Sequence, residues 1–119
     1  MKFDNNMPIY IQIVELLKIY IISGKIKIGD RIPSVRELAL EYKVNPNTMQ
    51  RALVELEELK LIYTDRTNGK FVTNDEKLIN KIKKEYANEI SKKYFLSMEN
   101  IGFDKNAAIN YLKELGGNK

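Results

Sequence analysis

Apolar residues recur at helical spacing in several stretches of the chain, and the side chains that open those stretches set where each helix begins. Ile9, Ile13, Leu16, Leu17, Tyr20 and Ile21 form a first stripe, opened by Pro8 and ended at Gly24. Ser34 then precedes Val35, Arg36 and Glu37, the S-x-x-E capping box in which hydroxyl and carboxylate each satisfy a backbone N–H at a helix start. Asn45 followed by Pro46 is a second start signal, since Asn accepts from the first turn and proline at the first helical position has no N–H to lose. The spacing predicts a helix beginning at Ser34 and another running from Pro46 to about Lys60. Tyr42, Lys43 and Val44 leave a turn of the length that joins two helices steeply in DNA-binding pairs. On a wheel of about 100° per residue, Met49, Ala52, Leu53, Leu56 and Leu59 share the sector expected to face the core. Asn47, Gln50, Arg51, Val54 and Glu58 occupy the opposite one.

Around these helices the pattern shortens. Gly29 and Asp30 form a turn pair, with a short strand expected near Arg31 and Ile32. Leu61 to Thr64 and Phe71 to Thr73 are β-prone runs flanking a polar stretch that contains Asn68 and Gly69, which reads as a hairpin. From Asp75 to about Met98 a helical stripe returns at Ile79, Ile82, Tyr86, Ile90 and Tyr94, with Phe95 and Met98 roughly opposite it. A last helix, Asp104 to Leu115, is expected to stop at Gly116 and Gly117. The fold class is therefore mainly α: a winged helix-turn-helix, three helices plus a β-hairpin wing, over residues 1–73, followed by two C-terminal helices over residues 74–119.

Composition narrows the chemistry. The 119 residues include no cysteine and no histidine, which removes disulfides, thiolate nucleophiles, imidazole bases and Cys/His zinc sites. No catalytic residue, metal or cofactor is expected. A net charge of +4 favours an anionic partner without identifying one. Residues 1–73 carry 11 Lys/Arg against 9 Asp/Glu and the remainder 9 against 7, so charge placement matters more than charge total. No apolar run approaches membrane-spanning length and the N-terminus lacks an export pattern, so a cytoplasmic protein without a membrane partner is expected.

Recognition helices present their N-terminal residues to the major groove, which makes Asn47, Gln50 and Arg51 the leading base or phosphate readers. Thr48, on the flank, is placed for phosphate. Arg36 is expected at the groove edge, the alternative being a surface ion pair with Glu37 or Asp30. Arg66 and Lys70 put positive charge at the tip of the hairpin. A polar outward face is also what any amphipathic surface helix shows, so the caps and the hairpin carry much of the case for DNA.

With Arg31, Pro33, Ser34, Arg36, Leu38, Val44, Asn47, Thr48, Ala52 and Leu53 in order, the chain resembles the GntR family of bacterial transcription regulators from about Pro8 to Thr73. VNPNT and the short two-helix tail are similar to its YtrA subfamily. The resemblance implies that Arg36 reads a base, usually guanine, that Ser34 binds phosphate, and that Asn45, Asn47 and Thr48 contact phosphate or bases. It further implies that Gly69 lets the wing backbone approach the minor groove, with Asn68 and Lys70 beside it. Many members carry arginine where this chain has Pro46 and Gln50, so the usual family operator does not transfer. A homodimeric repressor without catalysis is the preferred expectation, with double-stranded operator DNA as partner and no effector specified; the subfamily resemblance implies a target operon encoding an ABC transporter.

Only 46 residues follow Thr73, too few to enclose a drug-sized pocket. They are expected to form a dimerisation element in which Ile79, Ile82, Tyr86, Ile90 and Tyr94 meet a twofold mate and place two recognition helices on a palindromic site. Folding back onto the reader domain is the alternative. Two other functions compete: a winged-helix protein-interaction module, which would want an apolar recognition face, and an enzyme using Glu55, Glu57 and Glu58, which lack an accompanying nucleophile or metal ligand.

Overall fold

The protein is described here by a computed structural model covering residues 3–117. Its elements follow the order α1 (Ile9–Ile22), β1 (Arg31–Ile32), α2 (Val35–Tyr42), α3 (Pro46–Glu58), β2 (Ile62–Asp65), β3 (Gly69–Val72), α4 (Glu76–Asn100) and α5 (Lys105–Gly117). They fall into two compact units, Met1–Ile82 and Lys83–Lys119.

In the first unit α1 packs on α3, and α2 closes the other side of α3. Ile13, Leu17 and Ile21 meet the expected α3 sector of Met49, Ala52, Leu53 and Leu56 in a core from which water is excluded. Each large side chain buried there contributes roughly 1.5–3 kcal/mol relative to exposure. Both start signals operate as written. Ser34 Oγ accepts from Glu37 N while a Glu37 carboxylate oxygen accepts from Ser34 N, completing the capping box. Asn45 Oδ1 accepts from Asn47 N at 2.7 Å, with Pro46 in the first helical position.

The bend between α2 and α3 is made by Lys43 in the left-handed region, φ 56° and ψ 48°, which lets Val44 N reach back to the Ala39 carbonyl. The end of α3 repeats the device at Lys60, and this alters one expectation. Leu59 caps the helix and is 38% exposed, whereas Leu61, returned under the helix by the turn, is fully buried in its place.

The wing is a three-stranded antiparallel sheet in the order β1-β3-β2. Arg31 pairs with Phe71 and Ile32 with Lys70, so the short strand before α2 joins the hairpin and ties it to the helix pair. Between β2 and β3 the register runs from Ile62 opposite Val72 to Asp65 opposite Gly69, leaving Arg66, Thr67 and Asn68 as the loop.

In the second unit Tyr94 donates its hydroxyl proton to the Ala108 carbonyl at 2.8 Å, and Met98 and Ala108 are buried. Asp104 caps α5 by accepting from Ala107 N. Gly116 and Gly117, expected to stop that helix, lie within it: intrahelical bonding carries α5 through both before the described residues end.

Candidate nucleic-acid interface

In the first unit the residues expected to meet DNA lie on α2, at the start of α3 and in the hairpin loop. At α3 the backbone N–H groups of the first turn have no intrahelical partners, and the helix dipole adds partial positive charge. Asn45 satisfies one of these groups; Asn47 and Gln50 stand exposed on the same end and Thr48 is half-buried beside them. Ser34 uses its oxygen as an acceptor in the capping box, which leaves its hydroxyl proton available to a phosphate. Arg36 is exposed and forms no ion pair with Glu37, Asp30 or any other described residue, so its fork of donors is uncommitted.

Arg51 is differently placed. Its guanidinium carbon lies 3.9 Å from the Tyr10 ring centroid and one terminal nitrogen donates to Tyr10 Oη at 3.3 Å. Tyr10, Asn47, Thr48 and Arg51 thus line one recess where α1 meets α3. Tyr10 is absent from the sequence-derived readers because it lies off the apolar stripe of α1; its only signal was an aromatic ring at the opening turn of a helix, which has no fixed meaning alone.

The hairpin loop is built on Asp65. One carboxylate oxygen accepts from Thr67 N at 2.9 Å and from Asn68 N at 3.3 Å, and the other accepts from the Asn68 side-chain amide. The Thr67 N–H foremost, then the Asn68 side chain, holds the Asp65 carboxyl below its ordinary range. Gly69 follows with φ 103°, and a side chain there would meet Arg31 Nε at 3.3 Å. Arg31 in turn donates from Nε to the Asn68 carbonyl at 2.8 Å. This residue belongs to the family-like pattern in the sequence, yet its tie to the wing 37 residues onward has no local signal.

Arg66 and Lys70, paired in expectation as tip charges, part company. Arg66 is exposed at the loop. Lys70 instead turns back to α3, where Nζ donates to Glu57 Oε1 and to Thr64 Oγ1, each at 2.9 Å. Thr64 also donates to Glu57. That hydroxyl first, and Lys70 second, depresses the Glu57 carboxyl below its usual 4.5. Of the arginines of the first unit, Arg36 and Arg66 therefore have no partner among the described residues, whereas Arg31 and Arg51 are partly engaged.

Of the stripe expected to pair two chains, Ile79 is already buried by its own chain, Ile82 and Tyr86 are half-buried, and the Tyr94 hydroxyl is bonded to Ala108. Ile90 alone stands well exposed, at 67%. The acidic residues of α3 assemble no centre: among the described residues no group of three carboxylates could hold a metal ion. No described helix is long and apolar enough to cross a membrane.

A winged helix with a polar, cation-flanked α3 start defines a DNA-binding transcription regulator. The chain matches the description "Bacterial regulatory proteins, gntR family" over residues 9–72 and belongs to the GntR family. It is YtrA-like over its reader unit, being 41% identical over 73 residues to the HTH-type transcriptional repressor YtrA of Bacillus subtilis, a match covering 61% of this chain and 56% of that one. Its fold is similar throughout to a GntR family transcriptional regulator from Listeria monocytogenes, with a TM-score of 0.83, 39% identity, and coverage of 94% of this chain and 98% of the other. The DNA-binding domain of AraR in complex with operator ORR3 is similar over 61% of this chain and 88% of its own, with a TM-score of 0.54 and 29% identity. These likenesses support DNA as the partner.

Proposed function

We propose that two copies of this chain form a cytoplasmic repressor that sets the start of each α3 into the major groove of a palindromic operator, with the hairpin loops alongside. The observation that carries this reading is that Asn47 and Gln50 at the start of α3, Arg36 in the first turn of α2 and Arg66 in the hairpin loop are all exposed, and that Arg36 has no partner among the described residues. Asn and Gln match the adenine edge, and Arg matches guanine or phosphate. The polar character of these residues disfavours a protein-docking role. Pairing of chains is supported by exposed apolar side chains in the second unit, Ile90, Ile101, Leu112 and Leu115, which a partner would remove from water. The subfamily resemblance extends the proposal to an operon encoding an ABC transporter. Binding-site selection from random duplexes, followed by footprinting, tests the reading. A twofold-symmetric consensus protected by two chains is the expected result, and no preference over scrambled competitor at moderate salt would overturn it.

A further inference from the structure

The first unit contains a cavity of about 530 Å³ between the second half of α1, the 25–33 connection and α2. Its floor is apolar, formed by Leu17, Ile32 and Leu38, all buried. Its sides carry two half-buried phenols, Tyr20 and Tyr42, and the carboxylate of Glu41. Above the Tyr20 ring, 4.1 Å from its centroid, sits the ammonium of Lys25, whose side chain is exposed. We propose that this cavity is a regulatory site for an organic cation with a compact aromatic body, and that Arg31 couples its occupancy to the wing. The proposal rests on the DNA-binding reading above and adds the means by which that binding is controlled.

The charge of the ligand follows from the walls. Phenol faces and a carboxylate over an apolar floor stabilise a cation whose body is apolar, because attraction to the rings adds to burial. The Tyr20 face already holds a cation in the form of Lys25, and a ligand would return that ammonium to water. Burial, then the Glu41 charge, then Tyr20, push the Tyr42 phenol above its ordinary value, so this wall stays a neutral ring with the Glu41 carboxylate close by. Asp30 adds a second carboxylate to the lining beside Glu41, and the remaining wall cation, Arg31, already commits its Nε to the Asn68 carbonyl. That same commitment is the coupling. A body seated against Arg31 competes with one of the bonds that, beside those of Asp65, hold residues 66–68, and hence Arg66, in place. Linkage requires that operator DNA weaken the cation to the same degree that the cation weakens DNA.

The test uses the full chain with benzyltrimethylammonium as probe and phenylmethanesulfonate as an anion of similar size. The cation is expected to shift the Tyr20 and Tyr42 ring resonances saturably and to weaken operator binding in fluorescence anisotropy, while the anion does neither. Glu41→Gln should weaken the probe about fivefold, the upper range for one partly exposed ion contact, and leave probe-free operator affinity unchanged. Lys25→Ala should tighten the probe, a change of opposite sign that loss of structure would not produce. Equal response to cation and anion, indifference of probe affinity to both variants, or cation binding without effect on the operator would each overturn the proposal. Operator binding without probe separates the two readings. If it is absent while the rings still respond to the cation, the DNA reader fails and the cation site stands; if it is present and the rings ignore the cation, the reverse holds.

Discussion

Lys43 holds a backbone conformation that costs a residue with a Cβ roughly 1 kcal/mol or more, at the bend that sets α3 against α2. Glycine would remove the steric term while adding unfolded-chain entropy, so Lys43→Gly is expected to stabilise the first unit by about 0.5 kcal/mol. A raised urea midpoint at unchanged m-value checks this. A second single-residue prediction concerns reading. Arg36 has no competing partner among the described residues, so its donors are free for the DNA contact proposed above. Arg36→Ala should cost about 1–3 kcal/mol at the selected operator and relax preference at one base pair. Arg66→Ala should instead weaken all sequences alike and lower the salt slope by about one, as expected for a lost phosphate contact. Titrations against specific and scrambled duplexes at several salt concentrations separate the two. Identical losses on both duplexes for Arg36→Ala would move it from base reader to backbone contact.

Two ties fix the wing as an element: Arg31 to the Asn68 carbonyl at one end, and Lys70 with Thr64 to Glu57 at the other. Because the folded Glu57 carboxyl lies below its ordinary 4.5, its contribution is fully present above pH 4.5 and is lost as pH falls through the lower folded value. Acidification below 4.5 should therefore loosen the sheet edge, read as changing ring shifts of Tyr63 and Phe71, which stack with centroids 5.8 Å apart. Glu57→Gln should show the loosened shifts at neutral pH and keep only the acid step that Asp65 contributes through the hairpin loop. The sequence marked this hairpin, both helix starts and most of the α3 core correctly, since caps and periodicity act over three or four residues. It misassigned Lys70 as a tip charge because strand alternation, not local composition, decides that Lys70 faces α3. Leu59 and Leu61 exchanged roles for a similar reason: the left-handed turn at Lys60 rewinds the chain, and no wheel anticipates where a helix stops. Arg31 and Tyr10 were unreadable as site residues because their partners, Asn68 and Arg51, lie far along the chain.

For the whole molecule, the proposed pairing of two chains requires an apolar surface that one chain leaves uncovered. The stripe on α4 looked continuous in sequence, but Ile79 is spent inside its own chain, so it cannot also cover a mate. The second unit leaves in water Ile90 at 67% exposure, Leu96 at 61% and Ile101 at 70%, together with Tyr111, Leu112 and Leu115 on α5. Burying such side chains between two copies is favourable at roughly 25 cal/mol per Å² of apolar area. The payoff in binding is larger than the contacts themselves, because a joined second reader meets its half-site at high effective concentration. Ile90→Glu combined with Leu112→Glu places charge on exposed apolar positions of the second unit and leaves the sequence of the first unit unchanged, so the reader's fold and its single-half-site contacts should persist. Sedimentation should then show monomers, and affinity for the full palindrome should fall about a hundredfold or more, while affinity for an isolated half-site stays near that of the parent. Dimers that survive both charges would place the pairing surface elsewhere on the chain; monomers that keep full palindrome affinity would mean that the two half-sites are read independently.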